Sequence, residues 1–168
     1  MSRNKDSLIY IVDLEPDTGR KIVPVYFQEY VDISLSRIDF RLDSGADITT
    51  IRKSDLNRLG YSMEWIDKNK KEAENIKVRM ADSTERNGVY VEIPLVSFME
   101  KDFHNFKIFI VPGDNLDYSN LLGLDVSTEF TYTTDNEDRV LEFYRIGRSK
   151  FDTSGSASRQ IIGEINQP

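Results

Sequence analysis

The stretch FRLDSGADITTI, Phe40–Ile51, sets an Asp-Ser-Gly behind an alternating apolar lead-in. A second motif of the same kind, Asp17-Thr18-Gly19, sits in EPDTGRK. A loop carboxylate that performs chemistry needs rigid flanks, partial desolvation and backbone N–H donors. Asp43 has such flanks. Phe40 and Leu42 lead in at period 2, Gly45 permits a tight backbone and close ligand approach, and Ala46, Ile48 and Ile51 lead back into apolar structure. Asp17 lacks them: Glu15, Pro16, Arg20 and Lys21 are turn-forming or solvated, so EPDTGRK reads as a hairpin tip. On the tetrapeptide alone, a plain Asx-type turn at Asp43 is an open alternative.

At 168 residues, with 39% hydrophobic and 30% charged residues, the chain is expected to form one globular domain with its own core. No apolar run approaches the length of a membrane span, and MSRNKDSLIYIVDLEP lacks the features of a secretory signal. Zero cysteines exclude disulfides, thiolate nucleophiles and Cys-based zinc sites. One histidine, His104, gives little material for a Ser-His-Asp triad or a multi-His metal site, and it reads as a strand or surface residue. A net charge of −7 argues against nucleic acid and gives a weak long-range bias toward basic substrates. The basic run DKNKKEAENIK alternates with acids and reads as a solvated face or loop. The expectation is a cytoplasmic protein with no membrane contact, no metal and no cofactor.

Most of the chain reads as short strands: SLIYIVDL, KIVPVYF, YVDISLSRIDFRL, IKVRM, VYVEIPLVSF and FKIFIV. SDLNRLG predicts a short helix with Ser54 as N-cap and Gly60 as terminator, and LLGLDVSTEF a second one that Asp125 could cap. TEFTYTTDNEDRVLEFYRI predicts a closing hairpin turned at TDNED. From Gly147 onward periodicity is lost, which sets a domain at 1–146 apart from a flexible or partner-ordered tail at 147–168. The sum is a small, mainly β, closed-barrel-like domain with one or two short helices.

Asp43-Ser44-Gly45-Ala46-Asp47 behind an apolar strand resembles the active-site loop of the retropepsin-like aspartic proteases, the group containing the retroviral proteases. NLLGLDVS, Asn120–Ser127, resembles the segment that packs behind that loop in this family, and Gly123 follows Asp43 by 80 residues, as the family layout requires. Between them, KVRMADSTERNGVYVEI lies where the family has its flap. The resemblance spans roughly residues 20 to 145 and implies the retropepsin (acid protease) fold. It implies Asp43 as catalytic carboxylate, Ser44 in the lattice joining two active-site loops, and Gly45 offering its backbone to substrate. Ala46 and Asp47, with Ala81, Asp82, Ser83 and Thr84 of the flap, would bind substrate, and Leu122, Gly123 and Asp125 would support the loop. Three features depart from the pattern. The flap tip is polar and poor in glycine, Leu124 stands where retroviral members carry an Arg, and Asp39 and Arg41 interrupt the lead-in, facing away from Phe40 and Leu42 at period 2.

Aspartic-protease chemistry takes two carboxylates sharing one proton. This chain has one candidate, so the resemblance implies an endopeptidase active as a homodimer, with Asp43 of each chain meeting on a twofold axis and a peptide or protein as substrate. Two other readings remain: a non-catalytic module of the same fold that dimerises or binds peptides, and a plain β-domain interaction protein.

Overall fold

The computed structural model describes residues 8–79, 82–112 and 119–145; the proposed tail, 147–168, lies outside them. Strands β2 (Ile22–Gln28) and β3 (Leu35–Leu42) run antiparallel, in register from Ile22↔Arg41 to Gln28↔Leu35. Period 2 does the sorting here. Ile38, Phe40 and Leu42 enter the core, while Arg37, Asp39 and Arg41 take the other face. After β4 (Thr50–Ile51) come two helices, α1 (Lys53–Arg58) and α2 (Met63–Asn69). Three long strands follow: β5 (Lys71–Arg79), β6 (Glu85–Phe98) and β7 (Lys101–Ile110). The short β8 (Leu121–Leu122) leads into α3 (Leu124–Ser127).

These strands make one sheet in the order β2-β3-β8-β4-β7-β6-β5, and Tyr26↔Ser97 and Phe27↔Val96 bring β2 back onto β6. That two-pair contact bends the sheet round without making a clean barrel. The fold is mainly β, as the sequence indicates, but with three helices among the described residues rather than one or two. A second sheet, β1-β10-β9, joins β1 (Leu8–Asp13) to the hairpin of β9 (Phe130–Asp135) and β10 (Val140–Arg145). It attaches through aromatic edges, Phe98 meeting Phe130 at 5.3 Å and Phe143 at 5.8 Å. Since β1 and β2 belong to different sheets, EPDTGRK is a link between sheets and not a hairpin tip. It closes on itself through Glu15 N–H to the Arg20 carbonyl (3.0 Å), and Asp17 is exposed. His104 is an exposed residue of β7. Among the described residues no helix is long and apolar enough to cross a membrane.

The helices differ from expectation in instructive ways. Arg52, not Ser54, occupies the N-cap of α1, and no side chain caps it. Gly60 does end the turn, at φ +90°. Helix α2 takes up the start of the basic run that reads as a loop, and β5 takes up the rest. Ser62 caps α2 by accepting from Trp65 N–H (3.1 Å). Only Ile66 of α2 is buried, so the helix shows no apolar stripe in sequence. It is held instead by ring contacts, Trp65 lying 4.7 Å from Tyr61. The Tyr61 hydroxyl donates to the Gln28 carbonyl (2.7 Å), and burial pushes that phenol up to about 12.

One polar cluster pins this helical insert to the sheet. Asp55, 2% exposed, accepts from Arg52 Nε (3.0 Å), from an Arg58 terminal nitrogen (3.0 Å) and from Asn120 Nδ2 (2.7 Å). Asn120 in turn accepts from Arg52 N–H (2.8 Å), which fixes the entrance to β8. Removing the acid strands the buried Asn120 amide, so Asp55→Ala is expected to cost about 1–3 kcal/mol in urea unfolding. Arg58, 69% exposed, should cost less than about 1 kcal/mol when changed to Ala.

Candidate active site

The site is built where β8 slots between two strands that precede it by roughly 70 to 80 residues. It runs parallel to β3 (Arg41↔Leu121, Leu42↔Leu122) and antiparallel to β4 (Thr50↔Leu121). The ladder outlasts β3 by one residue, because Asp43 N–H donates to the Leu122 carbonyl (3.1 Å). Asp43 therefore sits at the end of a ladder whose neighbours Leu42 and Leu122 are buried in the core. Beyond it the chain turns sharply. Ala46 N–H returns to the Asp43 carbonyl (3.2 Å), and Gly45 N–H donates to Asp43 Oδ1 (2.8 Å). The carboxylate is thus aimed by a backbone donor, half-buried, with Ser44 and Gly45 exposed beside it.

A second set of bonds clamps the far side of the loop. Leu124 N–H donates to the Ala46 carbonyl (2.8 Å) and Asp125 N–H to the Asp47 carbonyl (3.2 Å). Asp125 then accepts twice from Thr49, from the hydroxyl at 2.7 Å and from the backbone N–H at 3.0 Å. The Thr49 oxygen in its turn accepts from Gly123 N–H (3.1 Å). Asp125 is therefore no helix cap: Gly123 holds the N-cap of α3, and the carboxylate is spent across the site on Thr49. Burial raises the Asp125 carboxyl above the usual range, with the Thr49 bonds pulling the other way. Thr49 does not stand out in the sequence; the run Thr49-Thr50 is its only signal, and it matches any strand.

Gly123 is required by space. A Cβ there would lie 2.5 Å from the Ile48 carbonyl carbon and 2.6 Å from its oxygen, both backbone atoms. Ile48 also links the loop to the β5–β6 hairpin. It packs with Ile76 and Val78 of β5 and with Phe109 of β7. The β5–β6 hairpin runs from Lys71↔Tyr90 to Arg79↔Glu85 and is broken by a bulge between Ala73 and Lys77. Gly88 lets the hairpin close on Phe109, since a Cβ would come within 2.9 Å of its ring.

The sequence-derived site residues fall into groups. Asp43, Ser44, Gly45, Ala46 and Asp47 form the loop, and Leu122, Gly123 and Asp125 lie directly behind it. Ala46 is buried with both backbone groups engaged, whereas the Asp47 side chain makes no bond among the described residues. Ala81 lies outside the described residues. Asp82, Ser83 and Thr84 are exposed in the tip, where Asp82 accepts from Thr84 N–H (3.0 Å) and its hydroxyl (2.6 Å). Those two bonds, hydroxyl first, lower the Asp82 carboxyl below its ordinary range. The tip is shorter than the sequence suggests, because β6 already starts at Glu85.

A family model described as "gag-polyprotein putative aspartyl protease" matches residues 31–126, more than half of the chain. That span holds the Asp43 loop, the β5–β6 hairpin and Gly123. The chain belongs to the retropepsin-like aspartic protease family. No curated protein and no solved structure matches it.

The packing at Gly123 yields a direct test. Gly123→Ala should destabilise the fold by about 3 kcal/mol, the upper end for overpacking, because only backbone can give way. Chemical denaturation of the purified variant would read it.

Proposed function

We propose that the chain is an aspartic endopeptidase that works as a symmetric homodimer, with Asp43 of each protomer facing its twin on the twofold axis. The observation that carries this is the form of the Asp43 loop. It is clamped from behind by β8 and α3, while its carboxylate, Ser44 and Gly45 face outward. The Ser44 hydroxyl and the Gly45 carbonyl have no partner among the described residues, as groups reserved for a second loop and a substrate backbone would be. Asp17, the alternative second acid, lies on an exposed turn.

Two like carboxylates side by side cannot both ionise, so the pair holds one proton and titrates as a unit. The ionised member takes a proton from a bound water as it attacks the scissile carbonyl carbon. The protonated member hydrogen-bonds the carbonyl oxygen and stabilises the tetrahedral intermediate. Collapse of that intermediate breaks the C–N bond, and the nitrogen leaves with a proton from the dyad. The Gly45 N–H bond to Asp43 Oδ1 holds the carboxylate against its own loop. An extended peptide would bind by backbone hydrogen bonds to Gly45 and Asp47, under a flap carrying Asp82, Ser83 and Thr84.

Asp43→Asn should lose all peptide cleavage while retaining fold and dimer by circular dichroism and sedimentation. Cleavage that survives this change, or wild-type protein inert toward a broad peptide library from pH 4 to 8, contradicts the proposal.

A further inference from the structure

Arg41 is the residue of the β3 lead-in that the mechanism leaves unused. Its N–H donates to the Asn120 carbonyl (2.8 Å), and Asp43 N–H donates to the Leu122 carbonyl (3.1 Å), so strand geometry runs unbroken through both. Side chains two apart on a strand share a face, here the one opposite Phe40 and Leu42. Arg41 thus shares Asp43's face, about 7 Å away along the strand. Its cross-strand neighbours are Ile22 and Leu121, and the row continues through Thr50 to Phe109.

Two polar groups in this row have no side-chain partner among the described residues. Thr50 is 1% exposed, and its hydroxyl is a buried polar atom without a partner among the described residues. Arg41 is half-buried as a residue, and among the described residues its guanidinium makes no ion pair or hydrogen bond. The contrast with nearby arginines is sharp: Arg37 binds Asp39, while Arg52 and Arg58 bind Asp55. A guanidinium on the Asp43 face that has no carboxylate partner among the described residues can receive one from a ligand.

Resting on the protease reading, we infer that Arg41 lines the substrate cleft and selects peptides with an acidic side chain within two residues of the scissile bond. An Arg side chain beside Asp43 reaches substrate positions adjacent to the reacting carbonyl, since an extended peptide advances only about 3.3 Å per residue. The bias opposes that of the net charge, −7. Contact decides, because long-range fields fade over about 8 Å at physiological salt.

The test uses the full chain and matched peptides carrying Glu, Gln or Lys at each of the four positions flanking the cleaved bond. At one position the kcat/KM ratio of Glu over Gln should be about tenfold or more. Arg41→Gln should flatten that ratio, Arg41→Lys should keep its sign, and Arg41→Glu should turn the preference to Lys. Should Arg41→Glu fail to fold, the Gln and Lys variants decide. No Glu preference at any position, or an unchanged ratio in Arg41→Gln, overturns the inference while leaving the protease intact. Wild-type protein that cleaves no peptide overturns both.

Discussion

Everything at this site depends on one close approach of backbone to backbone, Gly123 against Ile48. There is room for a hydrogen at Gly123 and for nothing larger. The approach lets β8 settle between β3 and β4, and it brings Gly123 N–H to the Thr49 hydroxyl and Leu124 N–H to the Ala46 carbonyl. Each of these bonds fixes a segment of a loop that would otherwise be a flexible turn. The loop becomes a rigid mount for a single carboxylate because its backbone groups are bonded to elements on both sides.

The same contact ties the mount to its cover. Ile48 packs on one side against Gly123, between β8 and α3, and on the other against Ile76, Val78 and Phe109. The base of the β5–β6 hairpin and the back of the Asp43 loop therefore share one small apolar cluster, separate from the main core. Above that base the hairpin becomes polar, and at its tip the backbone is ordered by Asp82 rather than by glycines. Asp125, half-buried and raised in pKa, shows the cost of the arrangement: a carboxyl is desolvated so that Thr49 can be held at two points.

Much of this could be read from residues. Period-2 spacing at Ile38, Phe40 and Leu42 places β3, and the flanks of Asp43 and Asp17 separate a mounted acid from an exposed one. What escaped depends on contacts distant in sequence. Thr49 gains its role only when Asp125, 76 residues on, reaches it. Helix α2 buries one residue and is held by rings from outside it, so no periodicity announces it. The Asp125 cap was a sound local reading that a tertiary partner outbid. Strand β1 looks like the first half of a hairpin with β2, yet its ladder partner is β10, at the other end of the chain.

The proposed function makes hydrolysis a property of a pair of chains, each supplying one rigidly mounted, outward-facing acid. The most direct measurement is calorimetric titration of the purified protein with a peptide isostere bearing a tetrahedral hydroxyl in place of the scissile amide, a mimic of the intermediate. Half an equivalent of ligand per chain is the predicted end point, with binding lost in Asp43→Asn. One equivalent per chain would contradict the account.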